Sequence, residues 1–325
     1  MMRKWLVLTL VLLMVLSVLT GCSSPAPEAP ANGDASADAP ADAVRIGFVT
    51  TNMNDTFQTY VFDAAAARAA ELGYQIDIQD AQEDVVRQQD QVNAMIQQEV
   101  DALIVVPVDT SAMEPITEAA KEAGIPLVYV NRNPFGEGEP PENVYYVGSQ
   151  EIVAGRFQGE YLVDDMPEGG GVAILMGILS NEGAVKRTEG NEEILNQYPE
   201  FTILAKESGN WQYDQGMTLA ENWITAYGDD LNAILANNDG MAIGALQAVE
   251  AAGREDILVL GVDAIPDAVN LVEEGKLAAT VLQDAAGQGE GGVDFVAQIL
   301  AGETPEPVKW IDFVLVTPEN VDQFK

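Results

Sequence analysis

The chain is 325 residues long, with 15 Lys and Arg against 52 Asp and Glu, a net charge of −37, no histidine and one cysteine. That length holds two lobes with cores of their own. The charge makes nucleic acid and anionic lipid poor partners, the lack of histidine removes Ser-His-Asp and Cys-His catalysis and histidine metal sites, and a lone thiol forms no internal disulfide.

Arg3 and Lys4 precede an apolar run over 5–19, followed by Thr20, Gly21 and Cys22. These are the basic, apolar and small-residue regions of a secretory signal, expected over 1–21. Leu19-Thr20-Gly21-Cys22 resembles the lipobox of bacterial lipoproteins, which implies that Cys22 becomes the lipidated N-terminus. A plain signal peptide or an N-terminal membrane helix with a chance cysteine is the other reading of the same run. Cleavage ahead of Cys22 would leave the mature chain still more acidic. From 22 to 43 the chain is mostly Ser, Pro, Ala, Gly, Asp and Glu, the composition of a disordered tether.

Beyond 44, short apolar runs alternate with amphipathic segments. Strands are expected at 44–50, 74–78, 102–106 and 126–130, with helices at 57–72, 83–98 and 111–123 between them. This is βαβ winding on a parallel sheet buried on both faces. A second series follows Val144-Tyr145-Tyr146-Val147-Gly148. Its helices are expected at 152–162, 182–195, 213–227, 241–252, 266–274 and 285–300, its strands at 172–176, 201–206, 233–236, 257–261 and 278–282, with an extended piece near 310–316. Two wound halves of similar size predict an α/β fold with two doubly wound parallel-sheet lobes and a ligand between them. The apolar run 233–236 ends in Asn237-Asn238-Asp239 before a helix, and ligands of open α/β sheets bind at the carboxyl ends of the strands.

Asn131 after a strand, Tyr145-Tyr146-Val147-Gly148, Ala236-Asn237-Asn238-Asp239-x-Met241-Ala242-x-Gly244-Ala245, Gly261-Val262-Asp263-Ala264-x-Pro266-x-Ala268 and Thr280-Val281-Leu282 together resemble the sugar-binding branch of the type I periplasmic-binding-protein family. Its galactose/glucose binders are the nearer likeness and its ribose binders a close second. The resemblance runs from about 44 to about 321 and implies two lobes joined by a three-segment hinge, 44–148 plus 284–310 and 149–283 plus 311–325. It further implies closure on a monosaccharide and delivery to an ABC permease by a monomer held to the membrane only through its lipid anchor, on the outer face of the cytoplasmic membrane.

By position, the resemblance implies that Asp55 and Phe57 are polar and stacking contacts, Asn131 an amide contact, and Arg187, Trp211, Asn238 and Asp263 the second lobe's contacts. Gln283 matches the hinge position, where hexose binders have asparagine and ribose binders glutamine, and Arg132 resembles the ribose binders. Chemistry supports these types: aromatic faces cover the C–H faces of a pyranose, and carboxylates, amides and guanidinium groups satisfy hydroxyls that both donate and accept. Phe57 equally suits a helix core, Asn238 and Asp263 suit helix caps, Arg187 a surface ion pair, and Arg132 mere lining of the cleft.

Asn181 and Gly183 stand where the hexose binders carry histidine and aspartate, so two contacts to one edge of a hexose are missing or changed. The stretch Asp164-Asp165-Met166-Pro167-Glu168-Gly169-Gly170 lacks the alternating oxygen ligands of a calcium loop, so no metal is expected, and no cofactor. The competing readings are a receptor module of the same fold feeding a chemoreceptor or sensor kinase, and a glycosidase with paired carboxylates. Among so many acids, some pair always lies close, so that last signal carries little.

Overall fold

The computed structural model describes residues 43–325. The expected signal peptide, Cys22 and nearly all of the expected tether lie outside the described residues. The chain runs β1 (Arg45–Thr50), α1 (Thr56–Glu71), β2 (Gln75–Asp80), α2 (Val85–Gln97), β3 (Ala102–Val105), α3 (Glu114–Ala123), β4 (Leu127–Val130), β5 (Val144–Gly148), α4 (Glu151–Asp165) and β6 (Gly170–Met176). It continues α5 (Glu182–Leu195), β7 (Phe201–Ser208), α6 (Tyr213–Tyr227), β8 (Leu231–Ala236), α7 (Asp239–Ala252), β9 (Leu258–Leu260), α8 (Pro266–Glu273), β10 (Thr280–Leu282), α9 (Ala285–Leu300), β11 (Val308–Trp310) and β12 (Val314–Val316).

The first sheet has the order β11-β5-β4-β3-β1-β2, and all of its pairings are parallel. Strands β3, β4 and β5 are buried at every residue, so they read as unbroken apolar runs. Helices α1 and α9 cover one face, packing Val61, Ala65, Val293 and Val296 on Ile104 and Val128. Helices α2 and α3 cover the other with Val92, Met95 and Ile116. The second sheet, β7-β6-β8-β9, is parallel as well. Its faces carry α6, α7 and α8 on one side and α4 and α5 on the other. Both sheets lie in one compact unit.

The chain passes between the sheets at 149–150, 283–284 and 311–313. The extended piece expected at 310–316 is therefore two short strands. β11 adds to the edge of the first sheet beside β5, whereas β12 runs antiparallel to β10, because the third crossing intervenes. The helix expected at 111–123 is also split: a 3-10 turn, Thr110–Ala112, precedes α3, and Pro115 sits in the first turn of α3, where its missing N–H costs nothing.

Helix starts are set by side chains that satisfy otherwise orphaned N–H groups. Asp55 accepts from the Gln58 N–H at 2.9 Å, Asp84 from Arg87 at 2.9 Å, Asn238 from Met241 at 3.1 Å and Asp284 from Gly287 at 2.8 Å. Each cap is worth about 1 kcal/mol. The α4–α5 contact sets the height of α5: a Cβ on Gly155 would run into the carbonyl oxygen of Arg187, so only glycine allows this approach.

Candidate ligand-binding site

A cleft holding about 430 Å³ of space, part of it open to solvent, lies between the sheets, at the carboxyl ends of their strands. Asp55 reaches it from the turn after β1, Phe57 and Gln58 from the first turn of α1, and Asn131 and Arg132 from the end of β4, while Glu151, at the first residue of α4, comes from the second sheet's side. From that same side come Asn181, Gly183 and Arg187 after β6, Trp211 after β7, Asn238 after β8, Asp263 after β9 and Gln283 after β10. All nine residues named from the sequence as ligand contacts thus line one space. On one lip, the Thr110 hydroxyl donates to the Ser180 carbonyl at 3.2 Å and bridges the halves.

Arg187 is the electrostatic centre. It is 5% exposed and donates from Nε to Glu151 Oε2 at 2.6 Å, from Nη1 to the Asn237 carbonyl at 2.5 Å and from Nη2 to Gln283 Oε1 at 3.0 Å. Its Nη1 lies 3.5 Å from Asp263 Oδ1, and its guanidinium carbon lies 5.8 Å from the ring centroids of both Trp211 and Phe313. Burial pushes the Asp263 carboxyl well above the usual range, with the Arg187 charge opposing it. The nearby Glu182 carboxyl rises to about 8, through burial first and the Glu151 charge second.

Across the cleft, Gln58 donates to Asn131 Oδ1 at 2.9 Å and Asn131 donates to Gln288 Oε1 at 3.1 Å, which fixes both amides. Arg132 donates to the Pro107 carbonyl at 3.0 Å and lies 3.7 Å from Glu83. Burial lowers its pKa and the Glu83 charge opposes this. Asn238 caps α7 through Oδ1 and donates through Nδ2 to the Trp211 carbonyl at 3.3 Å, so capping and facing the cavity are one arrangement here.

Backbone strain gathers at this site. Asn131, Trp211 and Asp263 have φ of 68°, 65° and 123°, a region that side-chain-bearing residues avoid. Asparagine tolerates it best. For Asp263 the cost is about 1–3 kcal/mol, accepted where it turns the carboxylate into the cavity.

Four buried polar atoms on the cavity residues find no partner among the described residues: Gln58 Oε1, Asn181 Oδ1, Asn181 Nδ2 and Trp211 Nε1. Buried polar groups are nearly always paired, so these donors and acceptors are open to a bound molecule. Asn181 heads α5 without capping it and is 1% exposed. Sequence reasoning missed Gln58 and Glu151. Glu151 looks like an ordinary acid in a helix's first turn; the signal that would have found it is that a buried arginine needs a buried acid.

Residues 46–304 match the family described as periplasmic binding protein domain. A protein of Rhizobium meliloti assigned as a rhizopine binder is 39% identical over 290 residues, 88% of this chain and 94% of that one. The ribose import binding protein of Escherichia coli is 30% identical over 274 residues, 84% of this chain and 90% of its own. An ABC transporter solute binding protein from Bacillus halodurans, solved with bound myo-inositol, superimposes with a TM-score of 0.81 at 37% identity, over 86% of this chain and 96% of that one. The doubly wound pair of sheets is the fold shared with that solved structure, and the chain belongs to the type I periplasmic-binding-protein family, in the sugar-binding branch, whose members bind solutes outside the cytoplasm and are not enzymes.

Proposed function

We propose that this chain is the solute-binding subunit of an ABC importer and takes a monosaccharide, or a ring polyol of the same size, between two lobes that close on it. The observation that carries this reading is the set of four unpartnered buried atoms on Gln58, Asn181 and Trp211 in a cavity with an aromatic side chain from each half, Phe57 and Trp211. Both donors and acceptors are in that set, as a ring of hydroxyls demands, and aromatic faces suit the ring's C–H surfaces. Asp55, Asn131, Arg132, Arg187, Asn238, Asp263 and Gln283 supply further contacts. The relatives bind small, hydroxyl-rich solutes, in keeping with a galactose- or glucose-like hexose, a pentose or a cyclitol here.

In this reading the lobes comprise 44–148 plus 284–310 and 149–283 plus 311–325. They work as a monomer tethered through a lipid on Cys22 and present the ligand to a membrane permease. Thermal unfolding with galactose, glucose, ribose, xylitol and myo-inositol tests it, because a ligand that binds only the folded state raises the midpoint, by about 2.7 kcal/mol of stability at one hundred times Kd. A rise with one or more of these supports the reading. No rise with any at millimolar concentration overturns it.

A further inference from the structure

Arg187 touches all three passages between the sheets. Glu151 follows directly on the first, Gln283 lies within the second, and Phe313 lies within the third. The contacts to Glu151 and Gln283 close a ring: Arg187 Nε donates to Glu151 Oε2 at 2.6 Å, Gln283 Nε2 donates to Glu151 Oε1 at 3.1 Å, and Arg187 Nη2 donates to Gln283 Oε1 at 3.0 Å. All three residues are at most 5% exposed, so water does not substitute for any member.

We propose that Glu151 is the positioning residue of the cleft: it holds the Arg187 guanidinium in place for the ligand and ties that placement to the first two passages of the hinge. This rests on the sugar or polyol reading of the site and deepens it. The ring admits only one assignment of donors and acceptors. Arginine offers donors alone, and an amide offers one accepting oxygen. Glu151 must therefore accept twice, which only a carboxylate does here. Glutamine at 151 would accept once and set its NH2 against either Arg187 Nε or Gln283 Nε2. Rotating the Gln283 amide to relieve the second clash would turn its own NH2 toward Arg187 Nη2. Every arrangement leaves two donors facing each other, and the guanidinium is released from its fixed pose.

Released from Glu151, Arg187 has Asp263 as its nearest remaining acid, Nη1 to Oδ1 being 3.5 Å. A direct pair between them would occupy the carboxylate that faces the cavity. Loss of Glu151 thus harms two contacts through one displacement. In the intact ring the guanidinium carbon lies over the Trp211 ring at 5.8 Å from its centroid, so the stacking wall and the charged wall are set together.

The test is a double-mutant cycle on ligand affinity with the full chain, by calorimetry with ribose and myo-inositol as probes. The variants are Glu151→Gln, Arg187→Lys and the pair. Glu151→Gln is expected to weaken binding about tenfold or more, and to add less than twofold in the Arg187→Lys background, since residues that act through one another are not additive. A merely structural role would lower the unfolding midpoint yet leave the two losses multiplicative, and that result overturns the proposal. So does Glu151→Gln binding within twofold of the unmodified chain. If Glu151→Gln fails to fold, Glu151→Asp replaces it, keeping both acceptors one methylene short, and the same non-additivity is required of it. An unmodified chain that binds neither probe nor any other small polyol overturns the sugar reading, and this proposal with it. An unmodified chain that binds while the cycle is additive overturns this proposal alone.

Discussion

The indole of Trp211 lies against the backbone of Gly177, so close that a Cβ at 177 would overlap its six-membered ring. Gly177 follows β6 and Trp211 follows β7, neighbours in the second sheet. The glycine is the floor on which the aromatic wall rests. Gly177→Ala should push the indole into the cavity and weaken ligand binding about 2- to 12-fold, the scale of one aromatic contact of roughly 0.5–1.5 kcal/mol. The ratio of dissociation constants by calorimetry checks this, and an unchanged ratio would remove Trp211 from the ligand's wall.

Asn181 should behave unlike an ordinary buried amide. Both of its side-chain polar atoms lack partners among the described residues, so Asn181→Ala removes none of their hydrogen bonds and spares the fold two desolvated groups. The ligand-free unfolding midpoint is expected to stay level or rise, while affinity falls roughly tenfold or more for two lost bonds of about 1 kcal/mol each. A lower ligand-free midpoint with unchanged affinity would make the residue structural.

Asp263 holds a φ of 123° and a carboxylate that burial disfavours. Asp263→Gly relieves both, and strain alone is worth about 1–3 kcal/mol against the roughly 0.5–1 kcal/mol that glycine's extra freedom costs. Ligand-free stability by urea denaturation should hold or increase. Binding should fall about 10- to 100-fold, as for loss of charge-assisted bonds. Retained affinity would show that the strained backbone serves some other end.

Stability should depend on pH through Glu182 and Asp239. Burial raises Glu182 from 4.5 to about 8, with the Glu151 charge adding to it and Arg187 opposing. Burial raises Asp239 from 3.8 to about 7, against its bonds from Thr280 and Ile265. Between the two values of each group the folded state holds a proton that the unfolded state has released, so stability falls as pH rises through that window. Ligand-free protein is expected to be more resistant to urea at pH 5 than at pH 8. Glu182→Gln should flatten the slope and stabilise the chain at pH 8 while changing little near pH 4.5. A slope unaffected by Glu182→Gln would place the titration elsewhere.

Much of this was legible in the chain because doubly wound sheets put chemistry at fixed places. A strand that ends in Asn131, Asn238 or Asp263 delivers that side chain to the cleft whatever the details of packing. Trp211 could be read because it sits in a polar turn where an aromatic side chain is out of place unless it faces something, whereas Phe57, at a helix start that equally suits a core residue, was legible only through the family resemblance. Glu151 could not, since its partners Arg187 and Gln283 are 36 and 132 residues away and only the fold unites them. The split of 310–316 between β11 and β12 escaped for a similar reason: a run that is apolar except at Asp312 gives no sign of which sheet each part joins.

β11 completes the first sheet by pairing Val308 with Tyr146 and Trp310 with Gly148, and α9 packs beside α1 over the same sheet. The half that begins the described chain is thus finished by residues near its end. Such distant pairings make folding slow, and until α9 and β11 are made the first sheet lacks one edge strand and the helix beside α1.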